Sequence, residues 1–227
     1  MLIHPAEARR QFRELAAGDI GNDNLARVAL LIALEDQPRT DVAAALRALD
    51  DLAERVRRRG TGGEPPIFRL GHLHAEMFDV DGYRGDTASY YDPRNAYLNE
   101  VIARRLGLPI TLSIIFIHVA TAVGLNVAGV GLPGHYIVKV QFELNEVYVD
   151  PFHGGTTLTV AEIAELLRQV TGGKAQLASE HLRASSGRET IARVLANLHS
   201  MWGRAGDARR ANAARERLDL LRELQPN

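Results

Sequence analysis

The chain of 227 residues contains no cysteine. That excludes disulfides, thiolate metal sites and any cysteine nucleophile together. Lysine is nearly absent as well, two against 25 arginines, and the formal net charge is −1. A chain so close to neutral has no overall field to gather nucleic acid or an anionic membrane, and neither is expected as a partner. No run of 18 apolar residues is present, so no membrane-spanning helix is expected. The longest apolar stretch, "ITLSIIFIHVATAVG", is interrupted by Ser, His and Thr and reads as a buried core element. An N-terminal apolar segment of signal-peptide type is also missing, which makes the cytoplasm the expected location.

What is there is ordinary for a globular protein: 46% hydrophobic and 24% charged residues. The first 60 residues read as helices. "NDNLARVALLIALED" (22–36) repeats apolar residues at helical spacing, and the segment 37–60 opens on Pro38, Thr40 and Asp41 and stops at Gly60. The basic "RVRRR" (55–59) suits a solvated helix end. "TGGEPP" (61–66) is the clearest candidate boundary. After it come "FRLGHLHAEMF", a further helix, and the long polar loop "DVDGYRGDTASYYDPRN" (79–95). "NAYLNEVIARRLG" is expected as a helix ending on Gly107, and the segment from Pro109 to Gly124 as a second, buried helix, with a strand as the runner-up reading because of its β-branched content.

"GLPGHYIVKVQFELNEVYVDPFHGG" (131–155) then reads as a β-hairpin, with His135 opening one strand and Asp150 closing the other. A histidine oriented by an aspartate is the usual partner of a nucleophile. If the two face each other directly, the turn must centre between 142 and 143. Turn chemistry favours Leu144-Asn145 instead, which pairs Asp150 with Lys139 and His135 with Gly154. The two registers differ by an even number, so both place His135 and Asp150 on one sheet face. Direct contact is expected only with the earlier turn or a bulge.

The landmarks "YYDPRNAYLNEVIARRLGLPITLS", "GVGLPGHYIVKV" and "VDPFHGG" resemble the SirB-type proteins of the transglutaminase-like superfamily. The resemblance implies an α+β fold: a transglutaminase-like (papain-like) core with an antiparallel sheet, preceded by N-terminal helices and followed by a tetratricopeptide-like helical hairpin. It divides the chain into residues 1–62, 63–186 and 187–227. In the hairpin, small Ala205 and Ala211 would permit close helix approach, Gly206 would turn the chain and Pro226 would end it. One such unit cannot bury its own apolar face and should pack on the core or on a partner.

Carried over residue by residue, the resemblance puts the superfamily's catalytic cysteine at Pro109, its histidine at His135 and its aspartate at Asp150. Proline has no heteroatom to attack anything. Ser113 lies one turn further along the same helix, about 6 Å away by helix rise, and its hydroxyl is placed to bond back to the carbonyl of Pro109. Tyr91, Asp92, Asn95, Asn99, Ser113, His135 and His153 are the candidate binding residues. No metal site is expected: His72 and His74 would point apart on a helix, and "DVDGYRGD" lacks the calcium-loop spacing. No cofactor is expected either. The favoured function is a non-catalytic module that binds a protein or peptide. The rival is a hydrolase or amidase using Ser113, or water activated by His135 and Asp150.

Overall fold

The computed structural model describes residues 4–224; Pro226 lies outside them. Three helices come first: α1 (Pro5–Ala17), α2 (Asn22–Asp36) and α3 (Val42–Arg59). Asp41 caps α3 by accepting the Ala44 N–H at 2.9 Å. Next come α4 (Pro66–His74), which runs on into a π-turn over Ala75–Val80, and the two-residue strand β1 (Arg84–Gly85). A 3-10 turn (Pro93–Ala96), α5 (Leu98–Arg104) and β2 (Leu106–Gly107) follow, with β2 pairing in parallel to β1.

The expected helix over 95–107 is therefore broken and shorter. Tyr97 is extended (ψ 119°), and α5 ends on Arg105 in the left-handed region (φ 60°) rather than on Gly107. The break at Tyr97 lets its hydroxyl reach Asp36 at 2.8 Å. Arg105 tolerates its conformation because its guanidinium stacks 4.7 Å over the ring of Tyr83 and bonds its hydroxyl. Gly107 serves close packing instead: a Cβ there would meet Val101 at 2.7 Å.

The centre of the molecule is α6 (Pro109–Ala122), with Pro109 at its first position as the sequence suggests. It is apolar on every side, and each residue from Pro109 to Ile117 is buried. Such a helix needs cover all round, and α2, α3, β3 (Asn126–Leu132) and β4 (His135–Gln141) supply it. The antiparallel sheet continues with β5 (Glu146–Asp150) and β6 (Thr156–Leu158) in the order β3-β4-β5-β6. Then come α7 (Val160–Val170), α8 (Gly187–Arg204) and α9 (Ala208–Glu223). The architecture is the expected one: an α+β core with an antiparallel sheet, helices before it and a helical hairpin after it. Among the described residues no helix is long and apolar enough to cross a membrane.

The register of β4 with β5 is neither of the two anticipated. Val138 lies opposite Val149, which centres the turn between Glu143 and Leu144. The Phe142 N–H donates to the Asn145 carbonyl at 2.8 Å and fixes that loop. Asp150 thus falls opposite Ile137, two residues from His135 on the same face. Diagonal neighbours on one face sit about 7 Å apart, within reach of long side chains. No bulge is needed for the two to touch.

The closing helices pack on the core, as a lone helix pair must. Their close approach uses Ala211 and Ala214, both buried, while Ala205 is exposed in the connecting turn. One apolar cluster takes in Leu30, Leu49, Ile114 and Leu198, from α2, α3, α6 and α8. A polar pin crosses it. Arg217 of α9 is fully buried and donates to Asp36 at 2.8 Å and to the Ile32 carbonyl at 3.1 Å. Asp36 also accepts the Tyr97 hydroxyl, which in turn accepts the Trp202 indole N–H at 2.8 Å. Breaking a buried pair on one side costs about 3–5 kcal/mol. Arg217→Ala is expected to lower stability in urea by that order; unfolding at the wild-type midpoint would show that the pin does not hold the hairpin down.

Candidate functional site

The tight turn between β3 and β4 sets the site. Leu132 pairs with His135, leaving Pro133-Gly134 as a two-residue connection. Pro133 favours the first turn position, and Gly134 takes the second with φ +76°. His135 therefore begins β4 immediately after the corner. At the other end of the neighbouring strand, Asp150 leads into a 3-10 turn (Pro151–His153) and caps it. Its Oδ1 accepts the backbone N–H groups of Phe152 at 3.0 Å and His153 at 3.4 Å.

The second oxygen of Asp150 takes two imidazoles. His135 donates through Nε2 at 2.8 Å and His153 through Nδ1 at 2.7 Å, both to Oδ2. The carboxylate is 1% exposed and His135 4%. Burial pushes the Asp150 carboxyl up, but the bonds from His135 and His153 outweigh it and hold the group well below the usual carboxylate range. The same bond raises the His153 imidazole above its ordinary value, against a smaller opposing effect of burial. Phe152 packs edge-on against His135 at 5.8 Å, and the two imidazoles stack at 5.7 Å.

These three residues are the group of potential metal ligands found among the described residues, with donor atoms within 4.8 Å of one another. Two ligands on one tetrahedral zinc ion sit about 3.3 Å apart. Contacts of 2.7 and 2.8 Å to one shared oxygen are hydrogen-bond lengths. The donor set fits a proton-sharing cluster better than a metal.

His135 and His153 open onto a cavity of about 580 Å³ at the N-terminus of α6. Its wall includes Pro109, Ile110, Tyr90, Tyr91, Phe152 and Arg193. Pro109 and His135 thus face one space. Ser113 does not join them. It is fully buried, and its hydroxyl donates to the Pro109 carbonyl at 2.8 Å.

The other candidate residues divide. Tyr91 lines the cavity, half exposed, with the Arg204 guanidinium 4.4 Å over its ring. Asp92 caps the 3-10 turn by accepting the Arg94 N–H at 2.9 Å and pairs with the Arg94 side chain. Asn95 is fully buried and braces the loop, donating to the Ser89 carbonyl at 2.8 Å and accepting from Arg104. Asn99 bonds Gln37 at 2.7 Å, away from the cavity. Asp92, Asn95, Asn99 and Ser113 thus bond neighbouring backbone or side chains, while Asn99 Oδ1 is buried without a partner. His74 packs against Phe78 at 5.2 Å. The sequence reading missed Arg193 and Asn197 of α8, which line the cavity from the closing hairpin. The only signal for Arg193 was a cation set among Ile191, Val194 and Leu195 on the buried side of a helix.

A helix buried on all sides whose first turn meets a His–Asp pair on an antiparallel sheet defines a papain-like arrangement of site and core. Comparison with known proteins agrees: residues 43–196 match the transglutaminase-like superfamily model, and the chain belongs to that superfamily. A UPF0162 protein of Xylella fastidiosa is 33% identical over 218 residues, covering 95% of this chain and 78% of its own. A UPF0162 protein of Pseudomonas aeruginosa is 29% identical over 183 residues, covering 81% of this chain and 66% of its own. F-box only protein 21 of Mus musculus is 24% identical over 224 residues, which span 86% of this chain and 34% of that protein. No solved structure gives a significant match.

The titrations carry a sign. Asp150, depressed in the folded state, contributes stability above its unfolded value of about pH 4 and loses it as pH falls towards the folded value. His153, raised in the folded state, contributes fully below about pH 6.5 and loses it as pH rises through the folded value. Stability in urea is expected to decline between pH 6 and 8.5, and His153→Gln should flatten that decline; parallel profiles would show that the His153–Asp150 bond is absent in solution. The position of Pro109 can also be probed directly. Pro109→Cys installs the only thiol in the chain, at a helix N-terminus beside His135. Its alkylation at pH 6 is expected to run about tenfold faster than in Pro109→Cys/His135→Ala, through a lowered thiol pKa. Equal rates would mean that His135 does not address that position.

Proposed function

We propose that this protein is a non-catalytic, SirB-type member of its superfamily that holds a peptide or protein segment in the cavity at the start of α6. The observation that carries this reading is Pro109 in the cavity wall beside His135. The walls of a thiol site are kept, while the place of the sulfur is filled by a residue that can neither attack nor give up a proton. A cavity of about 580 Å³ with aromatic walls and a few polar groups suits a short extended segment. That the similar part of F-box only protein 21 is about a third of a longer chain supports a module that can serve as one part of a larger machine. A cytoplasmic setting accords with the absence of cysteine pairs.

One observation favours a second reading, hydrolysis by water. The Nδ1 atom of His135 has no hydrogen-bond partner among the described residues, and the residue lines the cavity. With Nε2 donating to Asp150, a neutral imidazole would leave Nδ1 as an acceptor for a water proton. The alternative nucleophile, Ser113, has no such support, because its hydroxyl is buried and committed.

One experiment separates these readings. A random peptide library panned on the protein is expected to yield binders whose Kd rises at least about tenfold with Val170→Trp, since Val170 lines the cavity and indole bulk would fill it. The bound peptides should be recovered intact by mass spectrometry. Equal binding to the variant would defeat the cavity as the binding site. Peptide cleavage that disappears with His135→Ala would replace the binding reading with the hydrolytic one.

A further inference from the structure

The cavity has a charge character that the peptide-binding reading leaves open. Arg193 of α8 lines it, yet no carboxylate lies within ion-pair distance of this guanidinium among the described residues. Its contacts are a 2.5 Å bond to the Leu132 carbonyl and the face of Tyr136, 5.6 Å from ring centroid to guanidinium. Glu189, one turn earlier on α8, is already held by Arg183 and by the Ser186 N–H. Burial lowers the Arg193 pKa, so the cation is held in an environment that does not repay its desolvation.

Two more groups face the same space. Ile110 stands at the second position of the 14-residue helix α6 and lines the cavity. Its N–H is one of the first-turn donors without an intrahelical acceptor, and no other backbone acceptor meets it among the described residues. The positive end of the helix dipole adds to it. His135, 4% exposed, keeps Nδ1 unpartnered while Asp150 steadies the ring through Nε2. The open Nδ1 edge of the ring borders the cavity beside Arg193. No aspartate or glutamate appears in the cavity wall.

We propose that this cavity binds a carboxylate, with Arg193 and the Ile110 N–H as its donors and the His135 ring beside them. The proposal rests on the peptide-binding reading and names the group that is recognised. One guanidinium and one helix terminus match a single negative charge; a phosphate brings about 1.5 to 2 negative charges against the same donors. A planar carboxylate also suits the fork of an arginine. The carboxylate can be the C-terminus of a peptide or that of a small acid, and both present the same group.

The test is a titration of the 15N-labelled protein followed through the Ile110 amide and the His135 ring. The probes are N-acetylglycine, N-acetylglycinamide, an N-acetylated tetrapeptide acid ending in glycine, and inorganic phosphate. The acid is expected to move both signals with a Kd at least about tenfold below that of the amide, since charge-assisted bonds are roughly twice as strong as neutral ones. Phosphate should bind more weakly than the acid. Arg193→Gln should remove the preference for acid over amide, and Arg193→Lys should restore part of it. A tetrapeptide acid tighter than N-acetylglycine assigns the site to peptide termini, and equal affinity assigns it to small acids; both support the proposal. Equal binding of acid and amide, tighter binding of phosphate, or no movement with any probe overturns it. Equal binding would leave the peptide groove standing, and the panning experiment decides the groove independently of the carboxylate.

Discussion

The carboxylate of Asp150 is the constraint around which the site is built. A buried charge survives only when its oxygens are supplied with donors, and four converge on this one: two imidazoles and two backbone amides. Each donor fixes a piece of chain. The amides fold Pro151–His153 into a turn. His153 is brought back over the strand end, and His135 is held at the corner of the hairpin. The cavity wall is therefore a by-product of satisfying one charge, and its shape does not depend on any ligand.

The second determinant is α6. Because it is apolar on every side, it can exist only where the sheet and the N-terminal helices enclose it. Its first turn, through Pro109 and Ile110, borders the cavity, and its last turns, at His118, Thr121 and Ala122, are partly exposed. The first-turn backbone donors of this core helix lie beside the cavity that His135 also lines. Pro109 fits the same logic from the side of the helix: it supplies a fixed φ where no N–H is required. Pro109 thus makes a good start for the helix on which the core depends.

Much of this was legible in the sequence. The periodicity of α2 and α3, the proline that opens α6, and the even register parity of the hairpin all follow from local rules. Parity placed His135 and Asp150 on one face whichever turn was chosen, and the observed turn, centred one residue from either expectation and so shifting the pairing by two, kept that property. The contact itself was not legible, because diagonal reach depends on rotamers. Nor was the role of Asn95, whose side chain competes with helix formation by bonding the preceding loop. Arg193 was invisible for a different reason: it reaches the site from a hairpin some sixty residues away in sequence, and a lone arginine on a helix carries no local signature.

Arg217 and Asp36 stand 181 positions apart. During synthesis, the carboxylate of Asp36 leaves the ribosome long before the cation that neutralises it has been made. The N-terminal helices can form early, but closing the core over an unpaired charge is unfavourable until α9 arrives. Consolidation is thereby deferred until α9 has been made.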